Sequence, residues 1–328
     1  MTTSTDAVAL PAASSSVAVA VPADTMTGRT KRKLTSPVAS LTAIVIAVLW
    51  TIPTAGLFIS SFRPAEEIRT TGWWKFFISP SFTLDNYDEV LFSSSAGSGQ
   101  LAGYFVNSIV ITIPTVLFAL ALAAFAAYAL AWIPFKGSGW LFIGIFALQI
   151  VPLQMALVPL LRLFSSGVGL GDVTLIPAIG DSLVGAQRFA IVWFAHVCFS
   201  LPIGIFLLHN FISELPRELM EAARVDGASH ARIFRQIVLP LIGPALASFA
   251  IFQFLWVWND LLVALIFAGG NATTSPLTVR LAELAGTRGE EFQRLTAGAF
   301  VSIIVPVIIF LALQRYFVRG LLAGGLKG

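Results

Sequence analysis

One aspartate, Asp260, stands inside a long apolar run, Phe252-Gln253-Phe254-Leu255-Trp256-Val257-Trp258-Asn259-Asp260. A carboxylate at membrane depth is expensive, so it must face a cavity or a partner and marks a functional position by default. At 100° per residue, Gln253, Trp256 and Asp260 fall on one face of a helix. Aromatic planes beside amides and carboxylates suit sugars, which have apolar ring faces and hydroxylated edges. Gln253, Trp256, Asn259 and Asp260 therefore form a candidate substrate path. The plainer alternatives are a cap or inter-helix pair for Asp260 and an interfacial aromatic belt for the tryptophans. Other chemistry is sparse. His196, His209 and His230 have no carboxylate or thiol partner at metal-ligand spacing, so no metal site is expected. The one cysteine, Cys198, excludes an intrachain disulfide, and its apolar surroundings suggest a packed thiol. No G-x-x-x-x-G-K-[ST] occurs, so the chain has no P-loop to hold nucleotide phosphates and is expected to be neither an enzyme nor a cofactor carrier.

A second group lies in SELPRELMEAARVDGASHARIFRQIVLP, residues 213–240. Its pattern predicts two short helices. Pro216 suits a first helical turn, where its missing N–H costs nothing. Residues 217–225 are good helix formers, with Leu219, Met220 and Ala223 on one side. Gly227 can supply the left-handed turn that closes a helix. A second amphipathic segment then buries Ile233, Phe234, Ile237 and Val238, and Pro240 marks the return to apolar sequence. Ala222 and Ala223 are small enough for close approach, and Glu221 offers a charged hydrogen-bond partner. The alternative is a surface helix–turn–helix that merely joins two apolar blocks.

The elements that must position these residues are membrane helices. With 57% hydrophobic and 11% charged residues and a mean hydropathy of +0.86, the 328-residue chain has too little charge for a water-facing surface, where about a quarter is usual. Long apolar blocks without short alternating strands make the fold class all-α integral membrane. Six blocks reach the roughly 20 residues a span needs: about 38–61, 104–131, 139–164, 189–213, 241–268 and 296–317. Pro53, Pro114, Pro152, Pro202 and Pro306 lie inside them. With the N-terminus inside, the inner segments hold 12 Lys and Arg and the outer segments 8, so both termini are expected in the cytoplasm and residues 213–240 on that side. Residues 1–37 read as a disordered tail, 38–317 as the membrane domain and 318–328 as a cytoplasmic C-terminal tail. Ala119, Ala123 and Ala127, continued by Ala131, form a small-residue row that suits close helix packing. The outer loop 62–103, with Trp73 and Trp74, fits either contact with a substrate-binding protein or a lid over helix ends.

Glu221-Ala222-Ala223, Asp226-Gly227-Ala228, Phe234 and Val238-Leu239-Pro240 resemble, without a gap, the "EAA" loop of binding-protein-dependent ABC importer permeases. The resemblance implies a coupling helix between the fourth and fifth spans that seats in a cleft on a cytoplasmic ATPase dimer. Glu221, Ala222, Ala223, Asp226, Gly227, Ala228, Phe234, Leu239 and Pro240 would carry that coupling. Trp258-Asn259-Asp260-Leu261-Leu262, with Ala264 and Leu265, is similar to the matching segment of maltose-type carbohydrate permeases. The ending Gly320–Gly328 is similar to the tail of their second permease subunit, which reaches into the ATPase dimer interface. Gly324 and Gly325 would provide a thin backbone there and Lys327 a cation to pair. Thr71-Gly72-Trp73-Trp74, Leu84-Asp85-Asn86-Tyr87, Val151–Leu157 and Leu295–Phe300 resemble the α-glucoside branch. The family implies a carbohydrate permease in the plasma membrane that works with a homologous sister permease, the ATPase dimer, an external sugar-binding protein and lipid, and with no nucleic acid. ATP and magnesium would belong to the ATPase, and in maltose-type importers the sister permease holds most of the sugar. The rival is an ion-gradient-driven secondary carrier, which usually has paired intramembrane ionisable residues or inverted repeats. Asp260 is the only acidic residue in the spans, with no clear inverted repeat.

Overall fold

The computed structural model describes residues 37–93, 100–170, 173–178, 183, 185–286 and 291–325. The N-terminal tail through residue 36 and Lys327 lie outside that range. The chain divides into two units at Ala55/Gly56, within the first helix among the described residues, α1 (Pro37–Ser61). In the first unit, residues 37–54 of that helix are exposed all round. A helix apolar on every side is stable in that state only where lipid is the solvent.

The second unit continues through α2 (Ala65–Thr70), α3 (Asp85–Phe92), the long α4 (Leu101–Trp132), α5 (Ser138–Ala147) and α6 (Leu153–Ser166). After a small hairpin come α7 (Phe189–Ser213), α8 (Arg217–Val225), α9 (His230–Ile233) and α10 (Leu239–Leu241). The chain ends with α11 (Gly243–Trp258), α12 (Leu262–Phe267), α13 (Leu277–Ala285) and α14 (Phe292–Gly325). Among the described residues four helices, α1, α4, α7 and the 292–314 part of α14, are long and apolar enough to cross a membrane alone. Two bent pairs bring the number to as many as six: Ser138–Ile150 with Leu153–Ser166 at 103°, and His230–Leu241 with Gly243–Trp258 at 74°.

Several expectations are corrected. The third block is not one straight span: Val151 is extended (φ −70°, ψ 120°) before Pro152, whose ring disfavours a helical residue ahead of it. The fifth block stops at Trp258, and its remainder restarts as α12. The all-α bundle carries a short hairpin, β1 (Val168–Leu170) and β2 (Val173–Ile176), an antiparallel pair with Leu170 opposite Val173. Gly167 leads into it with φ +69°, and an added Cβ there would stand 2.3 Å from the Ile176 carbonyl oxygen, so only glycine fits. Cys198 is exposed on α7, not packed. Helix α14 continues without a break through Gly324 and Gly325.

Pro53, Pro114, Pro202 and Pro306 sit inside continuous helices. Two of them show how. A helical proline cannot bond the carbonyl four residues back. Pro114 frees the Val110 carbonyl, which accepts the Trp193 indole N–H at 2.9 Å. Pro306 frees the Ser302 carbonyl, which accepts the Trp258 indole N–H at 3.0 Å. Each freed acceptor is satisfied from a neighbouring helix, as an apolar solvent requires.

The core forms around α4 and α7. Ala119, Ala123 and Ala127 are fully buried, so the small-residue row is a packing face. Gly204 on α7 completes the approach: an added Cβ would lie 2.4 Å from the Phe249 ring and 3.0 Å from the Ala123 methyl. The same cluster contains Met220, Ile233 and Val238, so residues 213–240 are packed onto the bundle.

Candidate functional site

Helix α8 begins one residue after Pro216, which caps it. It closes at Gly227, with φ +77°. The Ala228 N–H donates to the Ala223 carbonyl at 2.9 Å and the Gly227 N–H to the Arg224 carbonyl at 3.0 Å. That pair of bonds is the Schellman closure, which satisfies carbonyls a helix end would otherwise leave bare. Ser229 then caps α9, accepting the Arg232 N–H at 3.4 Å. The chain widens into a π-helical turn over Phe234–Val238. The widening falls where Pro240 lacks the N–H that would have bonded the Gln236 carbonyl.

The hairpin has two different faces. On the inner side Met220, Ile233 and Val238 are buried, with Ala223, Ala228, Phe234 and Ile237 half-buried against them. Leu219, expected on this side, is turned outward. Four contacts tie the hairpin to α4. The Phe234 ring lies 5.0 Å from that of Phe125 and 5.3 Å from that of Tyr128. The Tyr128 hydroxyl and His230 Nδ1 share a hydrogen bond of 3.0 Å. Arg224 Nη2 donates to the Trp132 carbonyl at 3.3 Å, placing a cation at the negative C-terminal end of α4. On the outer side Leu219, Glu221, Ala222, Val225, Asp226 and Gly227 are exposed, Val225 to 87%. Glu221 also borders a cleft of about 440 Å³ with Arg217, Arg224, Trp132 and Ser138. The structure thus joins Ala223, Ala228 and Phe234 to the bundle and leaves Glu221, Ala222, Asp226 and Gly227 exposed. Leu239 and Pro240 are exposed at the turn into α11.

In the fifth block, Asp260 is committed to backbone. Its carboxylate accepts the Val263 N–H at 3.3 Å and the Ala264 N–H at 2.9 Å, capping α12 after the break. Its main-chain carbonyl accepts the Thr278 hydroxyl at 2.5 Å. His196 of α7, 1% exposed, holds Nε2 3.5 Å from the same carboxylate, and the Trp256 ring stands edge-on to that imidazole at 6.4 Å. Asn259 is exposed and bonds the Leu255 carbonyl at 2.8 Å. Gln253 is fully buried, and neither of its amide atoms has a hydrogen-bond partner among the described residues. The single-face expectation thus holds only through Trp256, because the helix ends before Asp260. Gly324 and Gly325 are placed only as the end of α14.

Sequence reasoning missed His196, Tyr128, Trp258 and the outward Leu219 and Val225. An imidazole in an apolar block is the same kind of signal as Asp260. Tyr128 directly follows Ala127, the third alanine of the packing row. Among the described residues no cluster of His, Cys, Asp and Glu could hold a metal.

The family described as "Binding-protein-dependent transport system inner membrane component" matches residues 21–322. The osmoprotective compounds uptake permease protein GgtD of Synechocystis sp. is 49% identical over 300 residues, covering 90% of this chain and 93% of that protein. The alpha-glucoside transport system permease protein AglG of Rhizobium meliloti is 40% identical, covering 88% of this chain and 96% of that one. The crystal structure of a bacterial alginate ABC transporter, in complex with an alginate pentasaccharide-bound periplasmic protein, contains a chain of the same fold. Its TM-score is 0.60 at 15% identity, covering 88% of this chain and 96% of that one. With an ABC importer permease fold, several apolar helices and a family match across most of its length, the chain belongs to the inner membrane components of binding-protein-dependent transport systems.

Proposed function

We propose that this chain is a carbohydrate-translocating permease subunit driven by a separate cytoplasmic ATPase dimer that seats on α8. The observation that carries the reading is the two-faced hairpin. Its inner side is bolted to α4 through Tyr128, Phe125 and Trp132, while Ala222 and Val225 lie exposed on its outer side. Force applied to such a face passes to the bundle without deforming the hairpin. Both termini and α8 lie in the cytoplasm on this reading, ATP and magnesium belong to the ATPase, and Gly324, Gly325 and Lys327 extend toward its dimer interface. A sister permease completes the pore and an external binding protein delivers the sugar. The alpha-glucoside permease, and the periplasmic protein in the alginate transporter complex, support that assignment. Gln253, Trp256 and Asn259 line the path, and Asp260 holds its bend. A buried amide with no partner is costly, which fits a residue that meets water or sugar when the spans alternate.

Ala222→Trp and Val225→Asp test the seat. Both positions are exposed, so the variants should unfold at nearly the native temperature. ATPase co-purification and ATP-driven uptake should both fall at least about tenfold, roughly 1.4 kcal/mol of lost interface. Native uptake by both variants, or uptake on a proton or sodium gradient with no ATPase present, would sink the proposal.

A further inference from the structure

We infer that the segment Trp73–Leu84 is a membrane-interface anchor whose exposed aromatic side chains insert among lipid. Its sequence, WWKFFISPSFTL, has one charged residue, Lys75. Trp74 is 62% exposed, Phe77 69%, Ile78 73% and Phe82 66%. Large apolar side chains clustered this way mark an interaction surface, since water-facing ones are usually scattered.

Depth decides which kind. The Trp73 indole lies on Gly56, where an added Cβ would come within 2.8 Å of its Nε1. Gly56 is five residues before the end of α1 at Ser61, about 7.5 Å back along the helix axis at 1.5 Å per residue. The segment therefore folds back beside the membrane helix and does not stand off into water. Measured from that end of the apolar span, the offset matches the roughly 5–10 Å to which interfacial segments sink. The aromatic surface is also continuous with the helix. Phe82 stacks on Phe62 at 5.1 Å, and Phe62 meets Phe58, itself 49% exposed on α1, at 5.1 Å.

The orientation is fixed from inside. Arg63, 1% exposed, donates to the Gly72 carbonyl at 3.1 Å and to the Thr71 hydroxyl at 2.5 Å. Asn86 bonds the Ser61 and Arg63 carbonyls at 2.9 and 2.8 Å, and the Thr83 N–H reaches the Phe62 carbonyl at 2.7 Å. Exposed charges, Glu66 and Arg69 before the segment and Asp85 and Asp88 after it, flank this apolar stretch. Tryptophans beside a lysine, between charged borders, are the composition of a membrane–water interface.

The full-length chain in nanodiscs of phosphatidylcholine and phosphatidylglycerol tests this. In a Cys198→Ser background, nitroxide labels go singly on Phe77→Cys and Ile78→Cys, with Glu66→Cys as the water-facing reference. Collisions with oxygen should exceed those with a water-soluble nickel chelate several-fold at 77 and 78, with the reverse at 66. Trp74→Phe should also remove part of the fluorescence quenching caused by lipids brominated near the glycerol end of the chain. Nickel access at 77 and 78 equal to that at 66 would overturn the anchor. So would immobile labels shielded from both reagents, or shielding that appears only when a sugar-binding protein is added. Those last two results would assign the surface to another protein.

Discussion

At the scale of single residues, the side chains that look most chemical are largely structural, and their partners explain why. Trp258 sits in the aromatic run that suggests a sugar platform, yet it is 2% exposed and its indole N–H goes to the Ser302 carbonyl. That carbonyl needs an outside donor because Pro306 cannot supply one. The pairing makes a specific claim. Trp258→Phe should lower stability by about 1–3 kcal/mol, the cost of leaving a buried acceptor bare. Pro306→Ala restores an N–H to the α14 ladder, so in that background the same Trp258→Phe change should cost distinctly less. Thermal unfolding of the four proteins of this cycle in detergent measures the difference. Equal costs in both backgrounds would show that the indole matters only as bulk. None of this was legible in the sequence: both the proline and the tryptophan are visible there, but only tertiary packing brings position 258 to position 302.

Among elements, the hairpin of residues 213–240 was the most legible, because its signals are local. Pro216, Gly227 and Pro240 each act on backbone within a few residues of themselves; Pro216 and Gly227 bound α8, and Pro240 lies two residues before the bend at Ile242. The broken spans were less legible. Pro114, Pro202 and Pro306 remain in continuous helices while Pro152 ends one. For Pro114 and Pro306 the neighbouring indole donors supply what the helix lacks, and such donors cannot be read from hydropathy. Gly227 tests the hairpin as an element. It has φ +77°, and an added Cβ there meets nothing within 4 Å, so a substitution is penalised only through its backbone. Holding a β-branched residue in that region costs on the order of 1–3 kcal/mol, and asparagine tolerates it better. ATP-driven uptake should therefore fall in the order Gly227, Gly227→Asn, Gly227→Val, with the unfolding temperature falling only by the few degrees such a cost implies. Uptake unchanged in Gly227→Val would mean that the shape of this turn carries no force.

For the whole molecule, the membrane class and the family follow from composition and one motif, whereas the path between the hairpin and the fifth span depends on how three helices cross. Helices α4, α7 and α11 meet where Gly204, Ala123 and Phe249 touch, and the cluster at that crossing also holds Met220 and Val238 of the hairpin. The alanine row announced a close approach, but only the fold reveals that a glycine on one partner and a phenylalanine on another complete it. Dense packing of this kind transmits displacement because it cannot be compressed. Gly204→Ala places a methyl 2.4 Å from the Phe249 ring and 3.0 Å from Ala123, so the ring must turn or the helices must part. The expected loss is about 1–3 kcal/mol of stability. Phe249→Leu alone should also destabilise, by leaving a void. Together the two changes should cost less than their sum, because the smaller side chain makes room for the new methyl. Unfolding of all four proteins in detergent reads that sign directly, and sugar taken up per ATP hydrolysed shows whether the crossing also transmits motion. Additive losses would mean that the two positions do not share a packing site.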